Sequence, residues 1–255
     1  IIRGAKILMF IRIKIWIKVL FYFLASIKCN KNAVILDANE TKEIILRKNK
    51  SVIRFGDGEF NILKGKGIHY QDYTEELRKS LENIINEYLS YQKEGNYLLC
   101  MPGEFLRCNG FKLAKKRVYI SSWAYSRYIF KKEYDKNVIY GESFLFAEEN
   151  HSVYSQIWLN AENVIFVHND NKYAKFFEEQ YKIKTQFIEV PSRNAFIEKD
   201  KILAEIISQT NKLKNSLVII SAGPTAKVLV YELAKRGIWA IDTGHCWDKP
   251  LQTRK

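Results

Sequence analysis

An α/β fold with a mostly parallel, Rossmann-like sheet and helices on both faces is what this 255-residue sequence predicts. Three observations lead there. From about residue 31, short apolar runs alternate with amphipathic ones; each apolar run ends in a cluster of small or polar residues; and the intervening stretches are long enough for the helical crossovers that join parallel strands. Composition agrees, since 47% hydrophobic and 27% charged residues can build a core, which excludes disordered, collagenous and disulfide-stapled classes. Only 4 Pro and 12 Gly argue against a loop-rich β-sandwich. Cys29, Cys100, Cys108 and Cys246 are scattered, without zinc-ligand spacing, and read as reduced thiols of a cytoplasmic protein.

Residues 1–30 carry Arg3, Lys6, Arg12, Lys14, Lys18 and Lys28 and no acid, so they hold six of the thirteen net positive charges. At 100° per residue all but Arg12 fall within an arc of about 120°, which predicts a basic amphipathic helix suited to an anionic membrane surface. The uncharged run from Val19 to Ile27 is too short to span a bilayer. Three other readings stand beside this one: a helix packed on its own domain, a strand over the alternation Ile11 to Ile15, and a signal-peptide-like stretch ending at Ala25-Ser26.

The apolar runs predict strands at Ser51 to Phe55, Tyr97 to Met101, Val138 to Tyr140, Asn163 to Val167, Gln186 to Val190, Leu217 to Ile220 and Trp239 to Asp242. Between them, apolar residues spaced three and four apart predict helices over Thr74 to Ser90, Lys201 to Thr210 and Thr225 to Arg236, the last stopped by Gly237. The aromatic stretch Trp123 to Phe130 could stack on a base or sugar, but its apolar spacing favours core packing. No repeat or linker divides residues 31–255, which predicts one domain after the 1–30 segment.

In such a sheet, ligands sit beyond the carboxyl ends of the strands. Three clusters there carry chemistry. In Arg54-Phe55-Gly56-Asp57-Gly58-Glu59-Phe60, two carboxylates one residue apart on a glycine-flanked turn can converge on a hard cation that also takes phosphate oxygens; without a ligand the same residues make a solvated turn. Ser221-Ala222-Gly223-Pro224-Thr225 leads from a buried strand into a helix N-terminus, suited to phosphate or to nothing more than a tight connection. His245 follows Asp242-Thr243-Gly244 at the last strand end, where an imidazole can act as ligand, anion holder or base. His69, His151 and His168 have no comparable company.

Taken together, the segments RFGDGEF, PSRNAF and ISAGPTAKVLVYELAKRGIWAIDTGHCWD resemble bacterial glycosyltransferases of the GT-D fold over roughly residues 40–255. The resemblance implies a metal-dependent transfer from a UDP-sugar to a growing glycan in surface polysaccharide or glycoprotein biosynthesis. Asp57 and Glu59 then correspond to the Mn²⁺ or Mg²⁺ motif, with Arg54, Gly56, Gly58, Gly223 and Thr225 beside the donor. Arg193, Asn194, Asp242 and His245 match family positions around that donor, His245 or a carboxylate such as Asp242 being the candidate base. Residues 103–160 are less family-like and are expected to shape the acceptor side, where a lipid-linked glycan would place the enzyme on the inner face of the cell membrane. The sequence is also compatible with a homo-oligomer. Two rivals use the same features. A metal-dependent phosphohydrolase or nuclease would use the same acids, though two-metal sites usually need more than one acidic pair. A nucleic-acid-binding module would need a contiguous basic groove, and with lysines elsewhere interleaved with acids no nucleic-acid partner is expected.

Overall fold

The computed structural model describes residues 2–91, 95–115, 118–159, 161–213 and 215–247, with backbone alone over 2–11, 91 and 118–122. The first half of the chain runs α1 (Ile2–Ala25), β1 (Val34–Ile35), α2 (Ala38–Lys48), β2 (Ser51–Arg54), α3 (Asp57–Leu63), α4 (Glu75–Tyr91), β3 (Tyr97–Met101), α5 (Gly103–Arg107), α6 (Gly110–Ala114) and α7 (Val118–Ile129). The second half runs β4 (Ile139–Glu142), α8 (His151–Tyr154), β5 (Asn163–His168), α9 (Asn171–Tyr181), β6 (Lys184–Glu189), α10 (Lys199–Lys212), β7 (Ser216–Ile220), α11 (Pro224–Lys235) and β8 (Ala240–Asp242). Contacts group these into two compact units, 1–34 with 104–138 and 35–103 with 139–255. The sequence reading placed its one boundary at residue 30; the contacts also set residues 104–138 with the N-terminal helix.

The eight strands form one parallel sheet in the order β1-β4-β3-β2-β8-β7-β5-β6. The crossovers β2 to β3 and β5 to β6 run in opposite directions along it, so right-handed connections put α4 and α9 on opposite faces. Contacts agree: α11 packs on α4, α10, β2 and β8, whereas α9 packs on β5 and β6. The chain leaves β2 toward one edge, and β8 fills the other side of β2 on its return, which is the crevice where such sheets take ligands. Register sets Arg54 opposite Cys100, Asp242 opposite Ile220, and Ile220 opposite Val167 at the carboxyl edge.

Local chemistry explains the boundaries. Asp37 and Glu40 close a capping box at the start of α2, and the Asp170 side chain accepts the Lys172 N–H at the start of α9. The end of α11 falls where expected, with Gly237 at φ +72° and its N–H bonded to Ala234 O. One strand, β1, is not predicted by the sequence, and β4 runs past its predicted end, both for physical reasons. β1 is two residues long, too short for a periodic signal. β4 continues through Gly141, where a Cβ would lie 2.5 Å from Cys100 Sγ; the glycine marks a close approach inside the sheet, not a loop.

The unit formed by 1–34 and 104–138 is tied together by buried polar groups. Arg127 donates to the backbone carbonyls of Phe105, Cys108, Ser26 and Ile27, and Asp135 accepts the N–H groups of Lys31, Asn32 and Ala33. Trp123 stacks on Phe105 at 4.2 Å, and Trp123 and Phe130 are buried, as core packing of that aromatic stretch predicts.

Candidate functional site

At the carboxyl ends of β5, β7 and β8 the chain forms a pocket. Its floor is Ser221, Ala222 and Gly223 after β7; one wall is His168 and Asn169 after β5, and another is Gly244 and His245 after β8. Tyr70 and Gln71 close it from the loop between α3 and α4, with Pro191, Ser192 and Ala195 following β6. Gly223 stands at φ +54°, ψ −137° as the residue before α11, a backbone conformation open to glycine alone. A Cβ there would also lie 2.6 Å from the Tyr70 ring, so the ring's seat requires the missing side chain. His245 is exposed and meets the Tyr70 ring edge-on at 5.5 Å between centroids.

Beneath the pocket lies a buried charge cluster whose centre the sequence reading did not single out. α11 is apolar nearly all round and buried almost throughout, as a core helix is. Lys227 sits within it at 4% exposure, so its ammonium must find partners in the interior. It finds three: Glu59 Oε1 at 3.1 Å, Asp242 Oδ2 at 3.0 Å and the Gly223 carbonyl at 3.2 Å. Burial opposes its charge, but Asp242 and then Glu59 outweigh that and hold its pKa above the ordinary lysine value. Arg54 completes the cluster, donating from Nε to the Asp242 carbonyl and from Nη1 to the Ser143 carbonyl, both at 2.8 Å. Two cations and two carboxylates therefore balance.

The D-x-E motif is not a turn but the first helical turn of α3, with Asp57 at its first position and Glu59 at its third. Side chains two apart on a helix do not face each other. Asp57 is exposed, whereas Glu59 is buried, Oε2 accepting the Gly56 N–H at 2.8 Å and Oε1 facing Lys227. The acids still share a neighbourhood, since Glu59, Asp242 and Asp57 all raise the Tyr70 phenol, which burial first of all pushes up to about 12. For a divalent cation the pair is uneven. Asp57 offers a hard oxygen of the kind Mg²⁺ or Mn²⁺ uses beside substrate phosphates. Glu59 is already engaged by Lys227 and by the Gly56 N–H, and among the described residues no group of three His, Cys, Asp or Glu side chains is placed to hold a metal.

The other sequence-predicted residues divide between wall and frame. Gly223 and His245 line the pocket. Arg54, Asp242 and Thr225 do not reach its wall: Arg54 is 8% exposed, and Asp242 and Thr225 are fully buried. Gly56 precedes α3 and gives its N–H to Glu59, while Gly58 packs near Ile68. Arg193 and Asn194 clamp the Tyr70 loop. Asn194 donates its N–H to the Tyr70 carbonyl at 2.9 Å, accepts the Asp72 N–H at 2.7 Å and donates to Asp72 Oδ2 at 2.8 Å, while Arg193 pairs with Asp72 Oδ1 at 3.0 Å. The reading passed over Tyr70 and discounted His168. His168 had a findable signal, a histidine ending an apolar strand; Tyr70, in an irregular loop, had none.

The architecture and sequence match known proteins. Glycosyltransferase GlyD of Streptococcus pneumoniae is 30% identical over 234 residues, covering 81% of this chain and 26% of that protein. A probable glycosyl transferase, Gly, of Streptococcus gordonii is 26% identical, covering 83% of this chain and 32% of that protein. This chain therefore spans about a quarter to a third of the length of these relatives. A solved structure of domain of unknown function 1792, described as having a distinct glycosyltransferase fold, superposes with a TM-score of 0.70 at 27% identity, over 88% of this chain and 83% of that one. The family model for the glycosyltransferase GT-D fold matches residues 52–249, from β2 past β8 and so across every strand bordering the pocket, and the chain belongs to this family of glycosyltransferases.

Proposed function

We propose that this glycosyltransferase takes a hexose from a UDP-sugar, with Mn²⁺ or Mg²⁺, and passes it to a glycan acceptor of a surface polysaccharide or glycoprotein. The observation that carries the reading is the pocket itself, in which Gly223 just before α11, the exposed His245 and the aromatic Tyr70 meet at the carboxyl edge of a parallel sheet. Gly223 lets a diphosphate approach the backbone closely, and the helix that follows it favours an anion through its dipole. A bound cation would neutralise charge developing on the leaving diphosphate. Asp57, exposed at the start of α3, would hold it, with Glu59 joining on release of Lys227. His245 is then the candidate to accept the acceptor hydroxyl's proton, being an exposed imidazole on the pocket wall.

Release of UDP across a panel of UDP-sugars, in Mn²⁺ and in chelator, tests the reading. Turnover of at least one donor that chelator abolishes is expected; no release from any donor overturns it. His245→Ala is expected to lower that turnover by about 10²-fold or more, the usual scale of general base catalysis. Its melting temperature should stay within about 2 °C of the parent, since exposed sites change stability little. Unchanged turnover would remove His245 from the chemistry.

A further inference from the structure

The last turns of α1 are fastened down, but the stretch before them is not. Tyr22 packs on Tyr125 and Tyr128 of α7 with centroids 5.2 and 5.1 Å apart, and the Ser26 carbonyl accepts from Arg127. From Arg12 to Lys18, in contrast, every residue is exposed. Ile13, Trp16, Ile17, Leu20 and Leu24 lie 46–62% exposed, and at 100° per residue they share an arc of about 100°. The first four of these, with Arg12, line an apolar hollow. Arg12 borders that arc on one side and Lys14 and Lys18 on the other, while Phe21 and Ile15, also exposed, fall outside it. Arg3 and Lys6 lie where side chains are outside the described residues.

We infer that this face of α1 docks on the surface of an anionic lipid bilayer. Charge complementarity selects the occupant, because the chain has no acidic residue before Asp37. A row of Ile, Leu and Trp edged by Arg and Lys sets its apolar side at the acyl boundary and carries its cations to lipid phosphates, long basic side chains reaching outward along their stems. A second copy would bring like charges together along the same seam. Crossing the bilayer is not indicated, for among the described residues no helix is long and apolar enough to span it. The inference is independent of the donor assignment.

Sedimentation of the full chain with phosphatidylcholine vesicles, with and without 30% phosphatidylglycerol (about one anionic lipid in three), tests it at low and high salt. Binding at least tenfold tighter to the anionic vesicles is expected, weakening as salt screens the charges. The Trp16→Ser/Leu20→Ser variant should lose about tenfold in binding with its melting curve unchanged, and Lys14→Glu/Lys18→Glu should abolish the preference for anionic lipid. Equal binding to both vesicles, or to neither, would overturn the inference. So would a dimer of the parent chain that Trp16→Ser/Leu20→Ser dissolves, because the face would then belong to a second copy.

Discussion

Lys227→Met is expected to cost about 3–5 kcal/mol of stability, the range for removing one partner of a buried ion pair and leaving the other charge uncompensated. For a chain of this size that lowers the melting temperature by roughly 6–20 °C. The asymmetry within the cluster sharpens the expectation. Asp242 keeps Arg54, whose Nη2 lies 3.9 Å from its Oδ1, and still accepts the Gly244 N–H at 3.1 Å. Glu59 keeps only the Gly56 N–H among the bonds described above, so most of the penalty falls on it. The double variant Glu59→Gln/Lys227→Met removes that stranded charge and should melt above Lys227→Met alone, since neighbouring sites are not additive. Thermal melting of the single and double variants checks both statements; a single variant within 2 °C of the parent would mean that the cluster holds nothing up.

Asp57→Ala and Glu59→Ala, adjacent in the motif, are expected to separate in one experiment. Asp57 is exposed at the first position of α3, so its loss should leave melting unchanged while weakening UDP binding in Mn²⁺ by tenfold or more, the cation being a ligand short. Glu59→Ala removes the acceptor of the Gly56 N–H and one partner of Lys227, so it should lower the melting temperature as well as UDP affinity. Calorimetric titration of UDP with Mn²⁺ and with chelator, alongside melting, reads both effects. An Asp57→Ala protein that binds UDP at full strength in Mn²⁺ would take this residue out of the cation site.

Much of the scaffold was legible because it is written in local pattern. Strand runs such as Asn163–His168 and Ser216–Ile220 are apolar and short, α11 ends at a glycine, and α4 repeats leucine and isoleucine at helical spacing. What pattern could not supply was the use of individual polar residues. Arg54, Asp242, Arg193 and Asn194 all stand out in the sequence, yet the first two are buried in an ion cluster and the last two hold the Tyr70 loop, roles fixed by long-range partners such as Arg54 with Asp242, 188 positions apart, and Arg193 with Asp72, 121 apart. Lys227 carried a usable signal, a lysine inside the apolar helix Thr225-Ala226-Lys227-Val228-Leu229-Val230, because a charge there must meet a buried carboxylate. The D-x-E triplet was read as a turn since its two glycines suggest one; Gly56 instead precedes the helix and Gly58 lies within it, where the Glu59 carboxylate satisfies the leading N–H.

The central claim is that the pocket between β5, β7 and β8 receives the diphosphate of the donor, and Ala222→Glu tests it most directly. Ala222 is partly exposed on the pocket floor, one residue before the glycine that opens α11, so a carboxylate there puts negative charge where the phosphates would lie without disturbing the cluster below. UDP titrated into the variant in Mn²⁺ is expected to bind about 100-fold more weakly than to the parent, a difference of about 2.7 kcal/mol, with the melting temperature preserved. Parental UDP affinity in a folded Ala222→Glu protein would contradict the account and move the donor site elsewhere.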